Sequence, residues 1–230
     1  MTILLGIIIV ILIVICVIMS GFALINGSLS RRSVCYAIMV LGISAYSIIG
    51  YLWTAGSDEL VESWAYVLSS VVIFFCMLNA MYWAFLSLMP LKLRTFLMLA
   101  LIGAIPGILY VIISVMRPDM QLAILIEDGV RSIVWGDNMI LLLLQYVNTI
   151  AYAGIAIYFG VSNVKQTQGK VRSHARLAVI ALVIAFVLGI IIDMLNDVIP
   201  YGHSLVHVLM FLLPLCAYKA FTDDVADDDA

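Results

Sequence analysis

Asp193 and Asp197 stand four residues apart, as do His203 and His207, and the two pairs flank a Pro200-Tyr201-Gly202 turn. A spacing of four puts both members of a pair on one face of any helix that continues through them. Three chemistries suit this set. Two histidines one turn apart with carboxylates nearby can hold a zinc-type ion, with His203, His207 and Asp193 as its ligands. An Asp–His pair at membrane depth can instead sense protons. Burial favours the two neutral forms and mutual attraction favours the ion pair, and their balance falls in the range where His switches. The same groups can contact a ligand. Against all three stands a structural reading, in which Asp197 caps a turn and His203 starts a helix at the interface. The expectation is no bound metal and no cofactor.

Gln145, Asn148, Thr149 and Tyr152 follow at offsets of three, four and seven, so one face of their helix is polar and is expected to point into a bundle. Asn79 and Trp83 are four apart, with Cys76 and Ser87 on the same side. At membrane depth such side chains either join neighbouring helices, at roughly 0.6–2 kcal/mol each, or line a wet cavity. Catalytic chemistry finds no foothold. There is no Gly-rich phosphate loop, Cys-x-x-Cys pair or nucleophile elbow. Three histidines, with His174 on the opposite side from the other two, cannot ligate two haems. Lys219 lies too near a helix end to carry a retinal Schiff base and should snorkel. A membrane zinc hydrolase of the ceramidase type needs further ligands from the second and third spans, which contain no His or Asp. The chain is therefore not expected to be an enzyme.

The elements that must position these residues are membrane helices. Of 230 residues, 65% are hydrophobic and 11% charged, and mean hydropathy is +1.20, whereas a soluble domain carries about 25% charge. A net charge of -3 argues against a nucleic-acid partner. Charge-free runs at 1–30, 33–57, 63–91, 95–116, 138–164, 177–192 and 198–218 predict an all-α bundle of seven transmembrane helices. Its limits are 3–26, 34–54, 63–88, 94–116, 138–162, 174–196 and 202–221. The sixth run, 177–192, is short for a bilayer, which draws Asp193 toward membrane depth, where a carboxylate marks function. The N-terminus lacks a positive n-region and stays as the first span. The four cysteines lie within or beside spans and read as small apolar packing. Gly103 and Gly107 permit close helix approach, and Pro106 bends the fourth helix. Trp53, Trp64, Tyr110, Trp135 and Tyr201 fall near one boundary as an interfacial belt.

Lys and Arg divide unequally between the two sides. Arg31, Arg32, Lys92, Arg94, Lys165, Lys170, Arg172, Arg176 and Lys219 share one side, and Arg117 and Arg131 the other. The basic side is expected in the cytoplasm, giving an outside N-terminus and an inside C-terminus. Most acidic residues fall on the opposite face, which favours cations unless it is only a solvated surface. Segment 118–137 is too short in apolar residues to span and reads as a loop. Segment 165–176 reads as a basic cytoplasmic loop whose Lys165, Lys170, Arg172 and Arg176 contact either anionic lipid or an acidic partner. Residues 1–221 form the bundle. Residues 222–230, five of them aspartate, are expected to form a short disordered tail, with no kinase or cyclase expected behind it.

Arg31-Arg32 opens a second span closed by Trp53, Pro106 lies midway along the fourth, Gly136-Asp137 leads into a fifth containing Tyr146, and a turn at Asn196 closes the sixth. In this order the chain resembles the seven-transmembrane N-terminal sensor region of bacterial and archaeal histidine kinases, in stand-alone form. The sixth span lacks the proline expected there. The resemblance implies a receptor-like bundle in the cell membrane, acting through a cytoplasmic signalling protein in trans, with no binding residues to carry over. Sensing would fall to Asp193, Asp197, His203, His207, Gln145, Asn148 and Asn79. The alternatives are a small transporter or channel, or a non-catalytic subunit of a membrane complex. Surrounding lipid is a partner in every case, and a homo-oligomer is compatible with each.

Overall fold

In a bilayer each backbone N–H and C=O must find its partner within its own segment, so long apolar runs become helices. The computed structural model describes residues 2–116, 122–127, 130–135, 139–194 and 202–222. In chain order these form α1 (Thr2–Asn26), α2 (Arg31–Ala55), a short α3 (Asp58–Glu62), α4 (Trp64–Ser87) and α5 (Leu93–Met116). Strands β1 (Leu122–Glu127) and β2 (Val130–Trp135) follow, then α6 (Met139–Gln166), α7 (Gly169–Met194), α8 (Gly202–Met210) and α9 (Leu212–Thr222). Seven helical stretches are long and apolar enough to cross a membrane, the last being Leu205–Thr222 across α8 and α9. The chain is a seven-helix membrane protein. Serine caps start three helices: Ser30, Ser57 and Ser63 accept from the backbone N–H of Ser33, Leu60 and Tyr66.

Each span packs against its sequence neighbours, and α8–α9 returns to α1, closing a ring. Two further contacts reshape that ring. α4 meets α6 directly behind α5, and α2 meets α8 and α9 directly behind α1. Burial follows: 22% of the spanning stretch is buried in α1 and α5, against 56% in α2. The core is thus α2, α4, α6, α7 and α8–α9, with α1 and α5 turning broad apolar faces toward lipid.

The structure corrects four expectations. Segment 118–137 is not simply a loop: β1 and β2 pair antiparallel, from Leu122 opposite Trp135 to Glu127 opposite Val130. Ile124, Ile126, Ile133 and Val134 favour strands, and the intervening sequence is Asp-Gly, the preferred pair for a two-residue hairpin. Segment 165–176 is almost entirely helical, since α6 runs to Gln166 and α7 begins at Gly169, whose φ of 56° turns the chain. The seventh span is not one helix but breaks at Phe211. Pro214 has no N–H for the carbonyl of Met210, and its ring crowds that carbonyl. Finally, Tyr110 does not sit in an interfacial belt. It is 3% exposed inside the bundle, with its ring 4.8 Å from that of Phe75.

The basic end is closed by side chains bonded to carbonyls just past α4. Arg31 donates to the carbonyls of Leu91 at 2.6 Å and Met89 at 3.1 Å, and lies 5.1 Å over the Phe96 ring. Leu88 accepts from Arg32 at 3.3 Å and from Asn163 at 2.9 Å. Leu88 is the C-cap of α4, and Met89 and Leu91 follow it in the connection to α5, a helix C-terminal end that cations suit. Beneath them Tyr36, Phe85, Leu86 and Phe221 are almost wholly buried.

Candidate functional site

The five core helices separate toward the acidic end and leave a cavity of about 170 Å³. α2 contributes Tyr46, Ile49 and Trp53; α4 contributes its cavity-facing residues from Tyr66 to Met77. α6 adds Gln145, Tyr146 and Thr149, α7 adds Phe186, Gly189 and Ile190, and α8 adds Val206, His207 and Met210. Seven of these nineteen residues are aromatic, and none is Asp, Glu, Lys or Arg. A cavity of about 150 Å³ with apolar walls admits benzene, which sets the scale of an occupant.

His207 is fully buried, with its ring 4.4 Å from that of Tyr46. It reaches this position because residue 50 is glycine: a Cβ there would lie 1.8 Å from His207 Nε2. α2 and α8 therefore meet backbone to ring. Tyr46 continues into an aromatic run through Phe74, at 5.7 Å, and Phe75, 5.5 Å beyond.

The polar residues of α6 distribute unevenly. Gln145 and Thr149 line the cavity, and Tyr110 donates to Gln145 Oε1 at 3.3 Å. Asn148 is half-buried and is not among the lining residues. Tyr152 is buried one step further toward the basic end, where its hydroxyl donates to the carbonyl of Gly103 and faces the Asn79 side chain. Asn79 lies outside the cavity and donates to the carbonyl of Phe75 at 3.0 Å. Trp83 bonds the carbonyl of Ala100 at 3.2 Å, joining α4 to α5. Along that face of α4, Cys76 is exposed while Ser87 is fully buried. Gly103 and Gly107 face α4, but they receive rings rather than backbone: a Cβ on Gly103 would lie 2.3 Å from the Tyr82 ring.

Of the Asp–His constellation, the structure describes one side chain, that of His207. Asp193 falls in the last turn of α7 and His203 in the first turn of α8, but their side chains lie outside the described residues, as does Asp197 altogether. Among the described residues no three His, Cys, Asp or Glu side chains gather as metal ligands would. Lys165, on the last turn of α6, and Lys170, Arg172 and Arg176, on the first turns of α7, are all exposed.

Sequence reasoning missed the aromatic wall of the cavity. Tyr46, Phe74 and Phe186 are indistinguishable in type from lipid-facing apolar residues, and only the bundle shows which way they turn. A usable signal was present at Gly50, a glycine inside a long helix where helix propensity disfavours it. Comparison with protein-family models and with curated proteins finds no match to this chain.

Proposed function

We propose that the chain is a cell-membrane sensor that binds a small ligand in the cavity and signals through a separate cytoplasmic protein. The observation behind this reading is the pairing of an aromatic cavity near one end with a packed, charge-clamped other end. An occupant pressing on Ile190 and Val206 displaces α7 and α8. The break at Phe211 lets α9 answer separately, held by Tyr36, which donates to the carbonyl of Pro214 at 2.9 Å. Following the Lys/Arg asymmetry, the clamped end faces the cytoplasm, where Lys165, Lys170, Arg172 and Arg176 are available to an acidic partner or to anionic lipid.

One observation favours a second reading, a small transporter: the broken seventh helix beside the cavity, a device transporters use near their binding sites. Filling the cavity without a ligand separates the two. Gly189 lines it, and a Cβ there makes only ordinary contacts, 3.5 Å from Met210 and 3.6 Å from Val206. Gly189→Ala is therefore the tolerated control and Gly189→Leu the mimic of occupancy. Spin labels at Lys170→Cys and Lys219→Cys, with Cys76 and Cys216 changed to Ser, report the basic end. The sensor reading expects the Leu variant to shift that distance by about 1–2 Å, the scale of a signalling helix shift. An unchanged distance, together with solute flux in wild-type proteoliposomes, would favour transport.

A further inference from the structure

Three of the five hydroxyl groups lining the cavity have a common orientation. Ser70 donates to the carbonyl of Val67 at 2.7 Å, Thr149 to the carbonyl of Gln145 at 2.8 Å, and Tyr66 to the carbonyl of Ile49 at 3.0 Å. A carbonyl oxygen only accepts, so each hydroxyl proton is committed to it. What Ser70 and Thr149 then offer the cavity is oxygen lone pairs. The seven aromatic lining residues add rings, whose faces carry the negative side of the quadrupole. Among the described residues no Lys or Arg lines the cavity to offset this, and the donor-bearing groups there include the Gln145 amide, the Trp53 indole and the His207 imidazole. The described wall is on balance electronegative without a formal negative charge among its residues. An anion entering it would meet lone pairs and π-faces. A compact cation with a low hydration cost meets acceptor oxygens and aromatic rings on most sides.

Resting on the reading of the cavity as a ligand site, we propose that it selects a small organic cation of the alkylammonium class. Quaternary or tertiary ammonium groups are weakly hydrated, and their recognition by several aromatic faces is the recurrent use of cation–π attraction. The volume limits the occupant to a headgroup-sized cation, free or carried on a lipid. Acidic residues Asp58 and Glu59 open α3 near the same end of the bundle, beside Val61, which packs with the lining residues Trp53 and Tyr66. They concentrate cations at that surface.

The test is equilibrium binding of radiolabelled tetramethylammonium to the full chain in lipid nanodiscs, with empty nanodiscs subtracted. Two probes of similar size, neutral tert-butanol and anionic pivalate, compete. The proposal expects saturable binding at one per chain, displaced by unlabelled tetramethylammonium at concentrations at least tenfold below those at which either competitor acts. Phe74→Leu removes one ring face and should weaken binding about 3–30-fold, the range that cation–π energies imply. Ser70→Ala, which changes little volume, should weaken it about twofold and guards against misfolding of the first variant. Binding in phosphatidylglycerol nanodiscs that disappears in phosphatidylcholine nanodiscs would identify the lipid headgroup as the cation; binding in both would identify a free one. Displacement by tert-butanol as effective as by tetramethylammonium overturns the cation preference while leaving a ligand cavity. Absence of saturable binding overturns the ligand class, and the sensor reading is then decided by the Gly189→Leu distance alone.

Discussion

The two halves of α4 occupy different surroundings although both are apolar and both lie in the bundle core. From Tyr66 to Met77 the helix faces the cavity, with Ser70, Phe74 and Phe75 in its wall. From Ala80 to Ser87 only Trp83 has appreciable exposure, and Ala84, Phe85, Leu86 and Ser87 are 0% exposed. The packed half ends under the clamp formed by Arg31, Arg32 and Asn163. Composition does not set the two apart, since both contain aromatic residues. What differs is what meets them: small residues and rings interdigitate at one end, and large rings stand around open space at the other. Interiors are packed like crystals, so a void of this size on one side of a helix marks where the bundle can adapt.

The clamp offers the strongest way to break this contrast. Arg31→Met removes two charge-assisted bonds and strands the carbonyl of Leu91, while that of Met89 keeps the Leu91 N–H. A loss of about 3 kcal/mol is expected in denaturant unfolding of the solubilised protein. A much smaller loss would mean that the basic end is not the rigid one.

Gly50→Ala comes next. The added methyl enters the His207 ring, and overpacking of this kind costs about 2 kcal/mol. His207→Ala in the same chain should recover most of that loss, since the two changes share one contact. Additive losses would show that the glycine serves α2 itself rather than the approach of α8.

Tyr36→Phe sharpens the comparison at the packed end. It removes one buried hydrogen bond, to the carbonyl of Pro214, and should cost about 1 kcal/mol. At the cavity, Thr149→Val removes a hydroxyl that donates within its own helix and should alter stability by no more than about 0.5 kcal/mol. A loss as large as that of Tyr36→Phe would mean that the cavity wall is as tightly coupled as the clamp.

Much of this fold is legible in the sequence because charge cannot enter hydrocarbon. Arg31, Lys92 and Lys165 punctuate the spans wherever the chain leaves the bilayer, and the helix limits follow within a few residues. Asp-Gly between two β-branched runs marks the hairpin, but its apolar stretches are short enough to be taken for an interfacial loop. The break at Phe211 is written three residues ahead, at Pro214. What periodicity cannot carry is the direction in which an aromatic side chain turns in an all-apolar helix, since lipid and core accept Phe74 equally. The clamp eluded the same reasoning because Arg31 serves equally as a topological signal and as a structural donor.

Amide hydrogen exchange along α4 in nanodiscs tests the central contrast most directly, because one helix supplies both regions. Residues 67–74 start three residues inside α4 and residues 80–87 reach its last residue, so end fraying by itself works against the predicted order. Local opening is easiest where packing is sparse, so the account predicts faster exchange in 67–74, and slowing of that stretch alone when tetramethylammonium is added. Equal protection of the two stretches, or faster exchange in 80–87, would contradict it.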